Sequence, residues 1–215
     1  MLSRLPLRGS ASFIDIDIRE GTMIDAQNWH AVVQPHINTQ QRIDALWDWP
    51  ALYTNCMVLE AGLGRKVSLQ CIDIPNAHGE SVPLAMMLLS VGYPALDGSY
   101  NGSVFLWYLA AAPGAALTAM GVLYQKPMLI LQALIDTAIQ LSSEQGYDGR
   151  VALHAAQAGK HELYCKYRDD ARMLTLRHNA VLSLGRRMKG GNDGRYFWTD
   201  PKLAQSLSNS LDYLR

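Results

Sequence analysis

Cysteine is scarce in this chain, with Cys56, Cys71 and Cys165 the only three in 215 residues. An odd, scattered set cannot build a disulfide framework and suits a reducing compartment, so a cytoplasmic location is expected. An excess of either charge is also missing, since nineteen Lys and Arg balance nineteen Asp and Glu. That neutrality removes the electrostatic argument for a nucleic-acid partner. The one locally basic stretch, Arg172, Arg177, Arg186, Arg187 and Lys189, reads as a solvated face. Met1-Leu2-Ser3-Arg4-Leu5-Pro6 is not followed by the apolar run that a signal peptide needs. Repeats and low-complexity segments are lacking as well.

What is present is a globular composition, 49% hydrophobic and 18% charged, which predicts one domain over residues 1–215 with a sizeable core. Residues 104–124 carry no charge and could cross a bilayer as a helix. Pro113-Gly114 cuts that run, and Val104-Phe105-Leu106-Trp107-Tyr108-Leu109 is β-branched and aromatic in the manner of a buried strand. A central strand followed by a small-residue loop is therefore expected, with no membrane partner.

Along the chain, Ser12 to Ile18 alternates as a strand with one wet face, ended by Gly21. Helical spacing follows over 23–37 and 39–59, with Pro35 and Pro50 breaking or bending the runs. Strands are predicted over 66–74, 82–91 and 104–112, with a loop over 92–102. Leu131, Leu134, Ile135 and Ala138 then give a helix over 128–145 one buried face, and Gln132, Asp136, Gln140 and Glu144 form its polar row. Tyr196-Phe197-Trp198 reads as a short strand, and Thr199-Asp200-Pro201 opens a last helix striped by Leu203, Leu207, Leu211 and Leu214.

Between the amphipathic helix and a second helical pattern starting near Leu163-Tyr164 lies Gly146-Tyr147-Asp148-Gly149-Arg150-Val151-Ala152-Leu153-His154, a turn and a short strand. This arrangement resembles the second half of the Gcn5-related N-acetyltransferases, particularly the branch with G-R-V-G-L-H on its fifth strand. The resemblance implies an α+β fold: a mixed central sheet with helices on both faces and a parallel, splayed pair of strands near the middle. Acyl-coenzyme A would enter between the strands over 104–112 and 150–155, its pantetheine beside Ala110, Ala111 and Ala112.

The family's usual phosphate-binding signature, Q/R-x-x-G-x-G/A, is replaced here by a longer connection, in which Gly121 and Lys126 stand as a flexible turn and a counter-charge. Tyr164 falls where the family places the acid that protonates the leaving thiolate, a step suited to a phenol that keeps its proton at neutral pH. His154 is the candidate base, with Asp73, His78 and Glu80 in reserve, and Trp29, Trp47 and Trp49 lie where the family builds its acceptor pocket.

Other constellations are incomplete. His161-Glu162-x-x-Cys165 lacks the second His of a zinc-protease motif, Gly62-x-Gly64 precedes a strand instead of following one, and no G-x-S-x-G elbow is present. The resulting expectation is an acetyl-CoA-dependent N-acyltransferase for a small-molecule or peptide amine, with a homodimer compatible. Its rival is a catalytically inactive member of the same fold that acts in protein interaction or dimerisation.

Overall fold

The computed structural model describes residues 1–39, 42–99, 101–123, 126–154 and 196–215. Its strands are β1 (Arg4–Pro6), β2 (Phe13–Asp15), β3 (Asp17–Gly21), β4 (Lys66–Pro75), β5 (Ser81–Pro94), β6 (Gly102–Ala111), β7 (Val151–His154) and β8 (Tyr196–Trp198). Its helices are α1 (Met23–Val32), α2 (Trp49–Ala61), α3 (Gly114–Ala119), α4 (Ile130–Glu144) and α5 (Pro201–Asn209). β1 and β2 pair with each other, and the remaining six strands form one sheet in the order β3-β4-β5-β6-β7-β8. Every neighbouring pair is antiparallel except β6 and β7, which run parallel. The fold is therefore α+β, a mixed central sheet with helices packed around it and one parallel pair inside.

Several local expectations are modified by what each segment meets. The strand foreseen over 12–18 becomes two, because Phe13–Asp15 pairs with β1 while Asp17–Gly21 pairs with β4, and Ile16 between them donates its N–H to the Ser3 carbonyl at 2.9 Å. Pro50 starts a helix instead of breaking one. It sits in the first turn of α2, where no N–H is needed, and Asp48 caps that turn by accepting from the Ala51 N–H at 3.0 Å. β5 runs on to Pro94, into the segment read as loop, through an irregularity between Val91 and Tyr93. The uncharged run is indeed broken into strand β6 and the short α3, and among the described residues no helix is long and apolar enough to cross a membrane.

β4 has no wet face, because Val67 through Ile74 are all buried. Its polar positions survive burial by pairing: Gln70 donates to the Ser68 hydroxyl at 2.8 Å, and Asp73 accepts from Arg19. The polar row of α4 is likewise covered at Gln132 and Asp136. The chain's own C-terminus supplies the cover. Asp136 accepts from Ser208 at 2.8 Å and from Arg215 Nη2 at 3.0 Å, and Gln140 donates to Ser208 at 2.8 Å. α5 begins as read from the sequence, with Asp200 accepting from the Leu203 N–H at 2.7 Å and Pro201 in the first turn, and Leu211 and Leu214 become buried.

The Gly146-to-His154 segment sets where β7 starts. The Tyr147 ring lies on Gly102, where an added Cβ would come within 2.6 Å of it, so only glycine fits at the entrance of β6. Gly149 has φ +74° and sits so close to α5 that a Cβ would meet Ala204 at 2.8 Å. Arg150 bonds Asp97 and Asp148, each at 2.9 Å. The second helix read from the sequence, and the segments 173–176, 181–184 and 185–194, lie outside the described residues.

Replacing Asp136 with Ala would leave Ser208 and the Arg215 guanidinium without their buried acceptor. A loss of about 2–3 kcal/mol in urea-unfolding stability is expected, with early exposure of the C-terminal helix to proteolysis.

Candidate functional site

β6 and β7 form the parallel pair of the sheet. The Val104 N–H donates to the Arg150 carbonyl at 2.9 Å, and among the described residues the parallel register covers Val104↔Val151, Phe105↔Ala152 and Leu106↔Leu153. His154 pairs with Tyr196 on the other side of β7, and β6 continues from Trp107 to Ala111. Just past this register β6 carries a bulge toward β5: Leu88 faces Tyr108 and Leu89 faces Leu106, so Trp107 is the extra residue. Bulges bend a strand and raise its local twist.

Beyond the bulge the backbone groups can be assigned by alternation. The Ala112 N–H donates to the Leu84 carbonyl at 2.8 Å, toward β5. Ala110 and Tyr108 share that direction, so the N–H and C=O groups of Leu109 and Ala111 point to the β7 side of the strand. One of them is in use, because the Ala111 carbonyl accepts from Arg42 Nη1 at 2.8 Å. Arg42 is itself paired with Asp44. An extended amide chain laid along this edge would add to the sheet as a strand does.

The residues named from sequence distribute unevenly around this part of the sheet. Ala110 and Ala112 are buried and Ala111 is half-buried at the end of β6. His154, the last described residue of β7, is half-buried and its ring stacks on Tyr196 at 4.1 Å. Gly121 has φ +77° and closes the turn after α3, where its carbonyl accepts from the Ala77 N–H at 3.0 Å. Lys126 is held by its carbonyl to the Arg8 N–H at 3.1 Å, and partial burial together with the Arg42 and Arg8 charges pushes its ammonium below the ordinary lysine range. Tyr164 and the His161–Cys165 pattern lie outside the described residues. Among those described, no three His, Cys, Asp or Glu side chains converge as metal ligands.

The connection between β6 and α4 folds in a way the sequence did not reveal. α3 closes its turns from Leu117 on, with the Leu117 N–H bonding the Pro113 carbonyl, Met120 bonding Ala116 and Val122 bonding Leu117. α4 begins after Leu129, at φ 61°, with no side-chain cap and no acidic residue in its first turn. Tyr108 was read only as strand core. It stands beside the bulge, half-buried against the Trp47 ring at 4.9 Å, and burial followed by the nearby Cys56 raises its phenol. Trp29 and Trp49 are packed edge-on at 6.0 Å and buried in the core.

A second feature lies toward the sheet edge. A cleft of about 310 Å³ between α1, β3, β4 and β5 is lined by Asp17, Arg19, Asp25, Asn28, Asp73 and Ser81, among others. Arg19 bridges its carboxylates, donating to Asp25 at 2.7 Å and to Asp73 at 2.8 Å. The Arg19 hydrogen bond brings Asp25 down to about 2, against a smaller opposing effect of burial. Burial instead pushes Asp73 up, outweighing Arg19, and raises the Cys71 thiol to about 12. His78 and Glu80 belong to the β4–β5 turn, where Asn76 bonds the Glu80 carboxylate at 2.8 Å and the His78 N–H at 2.9 Å. Sequence reasoning held Asp73 in reserve but missed the cleft, whose signal was the shared parity of Asp17 and Arg19.

No protein-family model matches the chain, and no curated protein matches it. Solved structures similar to it include a tyrosine-to-phenylalanine mutant of the toxin AtaT, bound to the C-terminus of the antitoxin AtaR and acetyl-CoA. That likeness has a TM-score of 0.47 at 13% identity, over 89% of this chain and 97% of the other. Another is a predicted acetyltransferase with acetyl-CoA from Clostridium acetobutylicum, with a TM-score of 0.40 at 14% identity over 71% and 88% of the two chains. A third is the KacTA–DNA complex, with a TM-score of 0.45 at 10% identity over 91% and 99%.

The lowered Asp25 carboxyl gives stability that is complete above its ordinary value of 3.8 and is lost as pH falls toward about 2. Asp73, raised, works with the opposite sign and takes up its proton first on acidification. Urea midpoints measured from pH 5 to pH 2 should therefore fall less steeply in Arg19→Gln than in the parent chain, because the variant has little left to lose in that window.

Proposed function

We propose that the chain is an acyl-CoA-dependent N-acyltransferase, with acetyl-CoA as donor and a small-molecule or peptide amine as acceptor. The observation that carries this reading is the parallel β6–β7 pair inside an otherwise antiparallel sheet, with a bulge at Trp107 after which the Leu109 and Ala111 backbone groups of β6 are directed to the β7 side. The Leu109 N–H and C=O and the Ala111 N–H suit the amides of a pantetheine chain. Its phosphates would fall toward the uncapped start of α4, where Lys126 and Arg8 add positive charge to the helix dipole.

In this reading the amine nitrogen attacks the thioester carbonyl directly, forming the C–N bond as the C–S bond breaks. His154, at the end of β7, takes the proton released by the amine, directly or through water. Tyr164 gives its phenolic proton to the departing thiolate.

A second reading, a catalytically inactive module of this fold acting in protein interaction or dimerisation, is favoured by one observation: Arg42 already occupies the Ala111 carbonyl.

Calorimetric titration with acetyl-CoA separates the two. Saturable heat is expected, with stabilisation of about 2.7 kcal/mol at a hundredfold excess over Kd. Absence of both at millimolar ligand supports the inactive module. Ala111→Pro removes only the N–H on the β7 side and keeps the β5 ladder, so it should weaken acetyl-CoA binding roughly tenfold, about 1.4 kcal/mol, while far-ultraviolet circular dichroism stays unchanged.

A further inference from the structure

We infer that the outer face of α2 docks a second copy of this chain, helix against helix, in an antiparallel two-fold arrangement. On a 3.6-residue repeat Trp49, Cys56 and Glu60 share the inward side and are buried. Ala51, Thr54, Asn55 and Val58 stand on the opposite side, flanked by Met57 and Leu59, and all six are exposed. Val58 is 69% exposed, Leu59 67% and Leu63, just past the helix, 61%. The face of a helix that stays in water carries charge. This one has none, because no residue from Trp49 to Leu59 is charged and Glu60 is turned inward and held by Arg65 at 3.2 Å.

Two features select a second copy as the occupant. An uncharged face offers no hold to a nucleic acid or a charged peptide, whereas a copy of itself meets it with no like charges opposed, as a two-fold contact requires. Bulk is also unevenly placed: Ala51, Thr54 and Asn55 make the first half of the face small, and Val58, Leu59 and Leu63 make the second half large. Antiparallel pairing lays large on small, where parallel pairing would set large on large. With the axis near Met57 and Val58, the exposed Asp48 ahead of one helix comes beside the exposed Lys66 beyond the end of the other, and the two helix dipoles oppose. The side chains from Ala51 to Leu63 offer about 700 Å² per copy, so the pair buries about 1,400 Å², within the roughly 1,200–2,000 Å² of stable complexes. The pairing needs no acyl-CoA and is compatible with both the enzyme and the inactive module.

The test is sedimentation equilibrium of the whole chain from about 1 to 100 μM. The parent chain should reach twice its own mass. Val58→Lys and Val58→Glu, each checked by circular dichroism, should be monomeric, with association weakened at least a hundredfold, about 2.7 kcal/mol. Mixing the two in equal amounts should restore the dimer, because a residue near a two-fold axis faces its own copy. Should either variant fail to fold, Asn55→Arg on the same face should weaken the dimer by a similar factor. A parent chain that stays monomeric throughout leaves the face to another kind of partner and overturns the inference. A dimer that persists in the folded variants, or a mixture of the two Val58 variants that stays monomeric, overturns it as well.

Discussion

Among the described residues the parallel register of β6 and β7 covers three residue pairs, and the rest of the site depends on how that register is fixed. These pairs need their register fixed from outside. The turn before β7 supplies that: Tyr147 presses on Gly102 at the start of β6, Arg150 is tied to Asp97 and Asp148, and Gly149 fits against α5. Thr199 adds a clamp from the following strand, receiving the Val151 N–H at 2.9 Å and donating to the Gly149 carbonyl at 2.9 Å. Past this fastened register the Trp107 bulge shifts the backbone alternation of β6 by one residue. Most residues of the Gly146-to-His154 motif therefore act in fastening β7 to β6.

Much of the sheet was legible because its strands are dense in apolar residues and bounded by turn formers. Lys66 to Ile74 and the run after Val104 needed only alternation and β-branching to be placed. What could not be read was which polar residues would be covered. Asp136 stands in a row whose spacing means solvent on an isolated helix, yet Ser208 and Arg215, more than seventy residues away, turn its position into an interior. Periodicity describes one element at a time, and burial by a distant segment leaves no mark in it. Pro50 misled for a related reason, since a proline that breaks a helix and one that starts it differ only in where the preceding cap, here Asp48, lies.

The parallel pair of strands with Ala110–Ala112 and His154 at their ends was expected from the family resemblance, whereas the bulge at Trp107, the Tyr108 phenol beside it and the Arg42 guanidinium at the Ala111 carbonyl arise from register and from loops. The Arg19–Asp73 pairing has the same origin, because Arg19↔Cys71 and Asp17↔Asp73 are cross-strand neighbours only once β3 has found β4. The electrostatic result is a division of the sheet: a carboxylate-rich cleft toward its β3 edge, and Lys126, Arg8 and Arg42 near the end of β6.

The central claim is that the edge of β6 beyond the bulge receives an amide-bearing chain. Amide hydrogen exchange at Leu109 and Ala111, followed with and without saturating acetyl-CoA, tests it most directly. The account predicts that both amides exchange readily in the free protein and become strongly protected on addition of the ligand, while Ala110 and Ala112, bonded toward β5, change little. Protection of Leu109 and Ala111 already complete in the free protein, or exchange left unaltered by acetyl-CoA, would contradict it.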